Sequence, residues 1–286
     1  MKASELILNP DGSIYHLNLR PEDIADVIIT VGDQNRVAQV SKYFDSIRVQ
    51  KAHREFVTHT GRLGSQEITV ISSGIGTDNV EILLTELDAL VNIDLIAKVV
   101  KSQHRKLKII RLGTSGSIRA EIPAGSLVAS AIGVGLDTLM QFYVHHPEAE
   151  SKELVVALQK HLGLGFLPYI AQASPYLWQN YRKYFTAGNT LTLPGFYAPQ
   201  GREIRLKSHF AEWITKIQAF DYQEFQFTNF EMETAGYYAL GALLGHEMLS
   251  LNAIIANRAT GEFVTEPEKV VESLIQLALN HLPTIQ

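Results

Sequence analysis

The 286-residue chain contains no cysteine, which excludes disulfides and thiolate metal sites. Long apolar runs are also missing, since the longest weakly polar stretch, residues 122–136, is too short to cross a bilayer. The N-terminus lacks the apolar core and cleavage site of a secretory signal. We therefore expect a soluble, cytoplasmic protein that does not contact membranes.

The chain has no excess of basic residues. Lys and Arg total 25 against 30 Asp and Glu, which gives a net charge of -5. A general nucleic-acid binder normally carries a basic face, so we expect no nucleic-acid partner. A small anion held by a few well-placed arginines remains compatible with this balance.

Apolar segments of strand length alternate with helical patterns along the chain. No linker or internal repeat interrupts them, so we predict one α/β domain spanning residues 1–286, built on a mainly parallel or mixed sheet. The predicted strands are residues 27–31, 69–71, 108–112, 126–131, 190–193, 225–230 and 249–256. The predicted helices are residues 36–44, a long helix from about residue 78, and residues 150–162, 174–184, 234–244 and 267–282.

Sheets of this kind bind ligands beyond the carboxyl ends of their strands. Four segments lie at predicted strand ends: residues 32–33, 74–76, 111–116 and 257–258. Their position makes them candidates for a binding site without defining what is bound.

The sequence VGDQNR, residues 31–36, leads from a strand into a helix. Backbone N–H groups at a helix start favour an anion, and Arg36 lies in the first turn. The alternative is an ordinary strand-to-helix turn with a surface arginine. For this segment taken alone, the alternative is the better interpretation.

The sequence IIRLGTSGS, residues 109–117, places Arg111 inside an apolar strand, where an unpaired cation is costly. The glycines and Thr114 that follow allow the backbone to approach a ligand closely. Recognition of an oxyanion and pairing with a structural carboxylate are both compatible with this pattern. A serine-hydrolase elbow would need Gly-x-Ser-x-Gly, whereas this segment ends in Ser117.

The sequence FEMET, residues 230–234, places two carboxylates at a strand-to-helix junction, where one of them can point into a cleft. A carboxylate suits the vicinal hydroxyls of a sugar and stabilises positive charge that develops on a ribose ring. Acidic residues favoured by the helix dipole are the simpler alternative.

The sequence GFYAPQGR, residues 195–202, combines features that suit a planar heterocycle. Phe196 can stack on it, Gln200 can donate and accept along its edge, and Arg202 can neutralise an exocyclic oxygen. A surface turn is the alternative interpretation.

Together these segments resemble uridine phosphorylases of the nucleoside phosphorylase family. The resemblance extends from about Tyr15 to Arg258, with motifs in the family's order. They are IYHLNL, VGDQNR, AHREF, SSGIG, IRLGTSG, FYAPQGR, NFEMET and IIANR. It implies a twisted mixed β-sheet, partly closed into a barrel and flanked by helices, in a single α/β domain.

The resemblance also implies roles for individual residues. The phosphate site would consist of Gly32, Arg36, Arg111 and Thr114, with Arg54 supplied by a neighbouring subunit. The ribose site would consist of Met232 and Glu233, with His16 supplied by the neighbour to contact the ribose 5′-hydroxyl. The base pocket would consist of Phe196, Gln200, Arg202, Ile255 and Ala256. The catalytic residues would be Arg111, Arg202 and Glu233.

The implied reaction is phosphorolysis of uridine, and possible further substrates are deoxyuridine and thymidine. It needs inorganic phosphate as co-substrate but no metal, cofactor or covalent intermediate. Two alternatives stay open: a purine or methylthioadenosine-type enzyme, and a non-catalytic nucleoside-binding protein. Asn257 stands where purine phosphorylases use an Asp, which favours a pyrimidine. The family includes dimers and hexamers, so a homo-oligomer with shared active sites is expected. Because Asn79 replaces a serine linked to an interfacial cation, that cation is not expected.

Overall fold

The computed structural model describes residues 1–145 and 149–283. Short 3₁₀ helices lie at Pro21–Asp23, Leu139–Phe142 and Ala198–Gln200. The strands are β1 (Val27–Val31), β2 (Ser46–His53), β3 (Phe56–Leu63), β4 (Gln66–Ser72), β5 (Ile93–Asp94), β6 (Val99–Val100), β7 (Lys108–Ser117), β8 (Leu127–Gly135), β9 (Tyr169–Gln172), β10 (Thr186–Thr192), β11 (Asn229–Glu231), β12 (Glu247–Asn257) and β13 (Glu262–Phe263). The helices are α1 (Gln34–Ser41), α2 (Thr77–Asn92), α3 (Ala149–Leu162), α4 (Pro175–Tyr181), α5 (Trp213–Ala219), α6 (Thr234–Leu244) and α7 (Pro267–Asn280).

Five strands close into a barrel at the centre of the sheet. Strand β7 pairs in parallel with β12, which pairs antiparallel with β8. Strand β8 pairs in parallel with β10, and β10 with β11, which returns antiparallel to β7. On the side of β7 away from β12, the first half of β7 pairs with β1, and the sheet continues through β4, β3 and β2. The predicted α/β fold with a partly closed mixed sheet is confirmed.

Strand β7 is longer than predicted. The strand was predicted to end at residue 112, but it continues to Ser117. The reason is packing: a Cβ at Gly113 would collide with the Arg111 guanidinium, and a Cβ at Gly116 would lie 3.2 Å from the Phe230 ring. These glycines, which were expected to let the backbone approach a ligand, make room for neighbouring side chains of the protein.

The predicted strand at residues 225–230 is wrong over most of its length. Only Asn229–Glu231 forms a strand, and Phe225 instead pairs with Tyr222 across a tight turn in which Gln223 and Glu224 have positive φ angles of 50° and 68°. The aromatic side chains that favoured a strand pack instead in a secondary core that includes Phe220 and Phe227. Helix α5 and the β2–β3 hairpin were not predicted.

Helix α6 lies where the sequence predicted it and is buried over most of its length. It packs against α2, β8 and β12, so its N-terminus points into the centre of the molecule. The residues just before it therefore reach the barrel interior. None of the helices in the described ranges has the length and apolarity needed to cross a membrane.

Candidate active site

Arg111 on β7 is the charged centre of the barrel interior and is only 6% exposed. Its Nη2 atom lies 2.5 Å from Glu233 Oε2 and 3.0 Å from Glu231 Oε2. Its Nη1 atom donates to Asn252 Oδ1 and Ser250 Oγ on β12, at 3.0 and 3.2 Å. Burial disfavours the charged form, but the two carboxylates outweigh it and raise the pKa of Arg111. The guanidinium is thus held in one orientation by four partners.

Glu233 links Arg111 to the loop before α2. Its Oε1 atom accepts a hydrogen bond from the backbone N–H of Gly76 at 2.7 Å. Burial raises the pKa of the Glu233 carboxyl and outweighs the attraction of Arg111, which lowers it. The carboxylate therefore lies where three parts of the chain meet: β7, the loop at residues 74–76, and the start of α6.

Glu231 is a buried residue of this site to which the sequence assigned no role. Its carboxylate accepts hydrogen bonds from the backbone N–H groups of Glu233 and Thr234, at 2.9 to 3.0 Å, and from Thr192 Oγ1 at 2.7 Å. It thereby holds the first turn of α6 and at the same time contacts Arg111. The FEMET sequence gave the signal, but we expected only one of its two carboxylates to enter the cleft.

The turn after β1 places a second arginine near the first. Helix α1 starts after Asp33, whose Oδ1 atom accepts from Asn35 N at 2.9 Å. Arg36 Nη1 donates to Leu112 O on β7 at 3.2 Å. Burial lowers the pKa of Arg36, Asp33 raises it, and the positive charge of Arg111 lowers it further. Arg36 is thus bound to the residue that follows Arg111 on β7, and a bound anion would stabilise two positive charges in this part of the molecule.

Gly32 and Thr114 lie beside these arginines. Gly32 connects β1 to α1, and a Cβ at this position would lie 3.5 Å from Gly74 O. Thr114 is half-buried on β7, opposite Ala253 of β12. Four of the predicted phosphate residues thus lie on β7 or on the segment that leads from β1 into α1.

Arg54 and His16 form a separate cluster. Arg54 is exposed, with its guanidinium 5.3 Å from the ring centroid of Tyr15, and its Nη2 atom donates to Tyr15 Oη at 3.4 Å. The Nδ1 atom of His16 lies 2.7 Å from Glu86. Among the described residues, no hydrogen bond or ion pair links Arg54 or His16 to Arg111 or Glu233. The cluster is nevertheless near the turn at residues 32–36, because Gln34 Nε2 donates to Arg54 O at 2.8 Å.

The predicted base loop folds on itself around Arg202. Its Nη1 atom donates to Gln200 Oε1 at 2.6 Å and to Phe196 O at 2.7 Å, and its guanidinium lies 3.8 Å from the Phe196 ring centroid. Gln200 is 4% exposed and Phe196 is 51% exposed. Burial and the charge of Arg258 lower the pKa of Arg202. The loop thus presents an open aromatic face beside an amide and a guanidinium.

The end of β12 is fastened to this loop. Arg258 donates through Nη1 to Gln200 O at 3.0 Å and through Nη2 to Gly201 O at 3.4 Å. Ile255 and Ala256 are half-buried just before it, at an irregularity in the pairing with β7. The half-buried Met232 lies between the two acidic residues at the start of α6. Apolar side chains therefore border the polar loop.

Asn257 is fully buried and its amide is committed to the backbone. Its Nδ2 atom donates to Arg119 O and Ile122 O at 2.8 and 2.9 Å, and its Oδ1 atom accepts from Ala259 N and Thr260 N at 2.8 and 3.1 Å. These four bonds use the full hydrogen-bonding capacity of the amide toward this turn. Asn257 thus shapes the turn at residues 258–261.

The candidate site combines two arginines that contact or belong to β7, a buried carboxylate, and a mixed aromatic and polar loop. Such an arrangement suits an oxyanion beside a hydroxylated ligand that carries a planar ring. Comparisons with known proteins agree with this chemistry.

Residues 26–282 match the sequence pattern of the phosphorylase superfamily. A uridine phosphorylase of Thermococcus kodakarensis is 30% identical over 261 residues, which cover 91% of this chain and 83% of that protein. The crystal structure of a Trypanosoma brucei nucleoside phosphorylase with uridine phosphorylase activity has a TM-score of 0.86 at 26% identity, and the match covers 96% of this chain and 99% of that one. A purine nucleoside phosphorylase of Caldanaerobacter subterraneus is 23% identical over 272 residues, covering 92% of this chain and 97% of that protein. The chain therefore belongs to the phosphorylase superfamily.

Proposed function

We propose that this protein is a uridine phosphorylase, which converts uridine and inorganic phosphate to uracil and ribose 1-phosphate. The observation that carries the proposal is the position of Arg36, which donates to the main chain beside Arg111, together with the contact of Arg111 with the buried carboxylate of Glu233. The two cations suit phosphate, and the carboxylate suits the ribose hydroxyls. The similarity to uridine phosphorylases supports the same choice.

In the proposed reaction, phosphate lies on Arg36, Arg111, Thr114 and the backbone at Gly32. One phosphate oxygen forms a bond to the anomeric carbon while the bond from that carbon to the base breaks. The ribose passes through a state with oxocarbenium character, which the nearby anions stabilise. The electron pair of the broken bond moves onto the base, which takes a proton from water after release.

The base loop would stabilise the departing negative charge. Arg202 and Gln200 are already joined at 2.6 Å, so a pyrimidine carbonyl meets a preorganised pair of polar groups. Phe196 would stack on the ring, with Ile255 and Ala256 as the wall near its 5-position. Met232 and Glu233 would hold the ribose.

We further propose that the active form is a homo-oligomer in which Arg54 and His16 complete the site of a neighbouring subunit. In support, Arg54 is exposed, and the hydrogen bond and ring contact recorded for its guanidinium are with Tyr15. A mixture of two variants tests whether subunits share active sites. Arg54→Ala and Arg111→Met subunits, each expected to be inactive alone, are refolded together. In a dimer, every mixed pair regains one intact site, so activity should return to about a quarter of the wild-type level. A mixture that stays inactive would contradict the proposal that Arg54 completes the active site of a neighbouring subunit.

A pyrimidine fits the site better than a purine because Asn257 offers no free amide and no acidic proton to the base. Uridine, deoxyuridine, thymidine, inosine, adenosine and methylthioadenosine should be compared with and without phosphate. We expect release of uracil from uridine only when phosphate is present. Turnover without phosphate would indicate a nucleosidase, faster turnover of inosine a purine enzyme, and binding without turnover a non-catalytic protein.

A further inference from the structure

The carboxylate of Glu86 on α2 forms hydrogen bonds with three nitrogen atoms of His16 and Leu17. Its carboxylate accepts from His16 N at 3.0 Å to each oxygen, from Leu17 N at 2.9 Å, and from His16 Nδ1 at 2.7 Å. Glu86 is 13% exposed and His16 is 28% exposed. A mostly buried carboxylate with this many donors is strongly localised.

These contacts determine where the proton of the imidazole resides. A carboxylate without a proton only accepts hydrogen bonds, so Nδ1 of His16 must be the protonated nitrogen. In the neutral ring, Nε2 then carries a free lone pair and acts as an acceptor. A ligand group that meets Nε2 of the neutral ring must therefore be a hydrogen-bond donor.

The same segment is also held from the opposite side. The main-chain oxygen of His16 can only accept, so His53 Nδ1 donates to it, at 2.9 Å. The Tyr15 ring lies edge-on to the imidazole with centroids 4.7 Å apart, and the Arg54 guanidinium lies over the Tyr15 ring. Both the ring plane and the direction of Nε2 are thus set before a ligand arrives.

We propose that Glu86 is a positioning residue, which fixes His16 as the Nδ1-protonated tautomer so that Nε2 accepts a hydrogen bond from the ribose 5′-hydroxyl. This inference rests on the proposed function. Phosphate at neutral pH is chiefly an acceptor, and the 2′- and 3′-hydroxyls are assigned to Glu233. The resemblance to uridine phosphorylases implies that His16 contacts the 5′-hydroxyl, which is a donor of the required kind.

The test compares uridine with 5′-deoxyuridine, which lacks only the group that His16 would contact. In Glu86→Gln, the amide N–H can donate to Nδ1, which moves the imidazole proton to Nε2 and reverses its role. We expect kcat/KM for uridine to fall about tenfold, mainly through KM, because one hydrogen bond is lost. With 5′-deoxyuridine, Glu86→Gln and the wild type should agree within about twofold.

Three variants accompany the measurement. Glu81→Gln is the matched control, because Glu81 lies on the same helix and accepts from Tyr143 Oη at 2.5 Å instead. It should behave as the wild type with both substrates. In a His16→Ala background, Glu86→Gln should have no further effect on uridine turnover. Glu86→Asp keeps the charge, so it should recover part of the uridine activity, and it provides the test if Glu86→Gln does not fold.

The other outcomes overturn the inference in distinguishable ways. An equal loss with both substrates would make Glu86 a general scaffold residue, and no loss with either would remove its role. A wild type that turns over both substrates equally well would show that the 5′-hydroxyl is not contacted. A wild type that turns over neither would instead overturn the proposed function.

Discussion

Arg111 donates a hydrogen bond to Glu233 at a distance of 2.5 Å, although the two residues are separated by 122 positions in the sequence. The contact joins the proposed phosphate site to the proposed ribose site through a single buried ion pair. Each partner has further contacts, Arg111 with Asn252 and Glu233 with Gly76 N. Both charged groups are therefore oriented before substrate binds, which lowers the reorganisation needed in the reaction.

Loss of Arg111 should destabilise the protein as well as inactivate it. Arg111→Met leaves Glu231 and Glu233 buried without their cation, and breaking a buried pair in this way costs about 3–5 kcal/mol. Urea unfolding should therefore show a reduced free energy of unfolding. Adding Glu233→Gln to Arg111→Met should restore part of it, because one uncompensated charge is removed. Wild-type stability in Arg111→Met would contradict the structure of this pair.

Arg202→Ala should reduce turnover of uridine on the order of a hundredfold while the fold is retained, because the departing base loses its charged partner. The matched control is Arg205→Ala, an exposed arginine of the same loop. Steady-state kinetics and thermal unfolding of both variants provide the measurement. Equal kinetics for wild type and Arg202→Ala would remove this loop from the base pocket.

Ala256→Val should narrow the wall near the pyrimidine 5-position. Ala256 is half-buried, so two added methyl groups would project into the space that we assign to the 5-methyl group of thymidine. We expect the wild type to accept thymidine, and kcat/KM for thymidine relative to deoxyuridine to fall about tenfold in the variant. Exclusion of thymidine by the wild type, or an unchanged ratio in the variant, would show that Ala256 lies elsewhere relative to the base.

Asp137 should make stability depend on pH. Burial raises the pKa of this carboxyl above its ordinary value of 3.8, and this outweighs the hydrogen bonds from Tyr169 Oη and Leu139 N, which lower it. The folded state thus binds the proton more tightly than the unfolded chain. The stabilising contribution of Asp137 is therefore present below pH 3.8 and is lost as the pH rises through the folded-state pKa.

Asp137→Asn removes this titration. The free energy of unfolding of the variant relative to wild type should therefore increase from acidic toward neutral pH, as measured by urea unfolding at several pH values. Asp221→Asn, at an exposed position, controls for the loss of one carboxylate. A difference between Asp137→Asn and wild type that does not change with pH would contradict this prediction.

The sequence predicted best those elements that are apolar and buried. Strand β1 and helix α6 were located at their observed limits because their apolar residues form continuous or periodic runs. The β2–β3 hairpin was missed because one of its strands, β2, is largely exposed and carries many polar residues. Pairing with β3 stabilises β2 as a strand in spite of its polar composition. Such pairing across the sheet cannot be predicted from a local sequence pattern.

The candidate site was predictable as a set of residues but not as a geometry. Arg111 in an apolar strand signalled a buried cation, yet its partners Ser250 and Asn252 come from a strand about 140 residues further along the chain. The convergence of Glu231 with Glu233 on one guanidinium likewise depends on the turn between β11 and α6. Such contacts are fixed by the closure of the barrel, which no short motif encodes.

The most direct test of the account is to follow inorganic phosphate by ³¹P NMR while the enzyme acts on uridine. The account predicts that the phosphate signal declines as a ribose 1-phosphate signal grows, in equal amounts with released uracil, and that Arg111→Met abolishes both changes. Release of uracil with the phosphate signal unchanged would contradict the claim that Arg36 and Arg111 hold the attacking nucleophile.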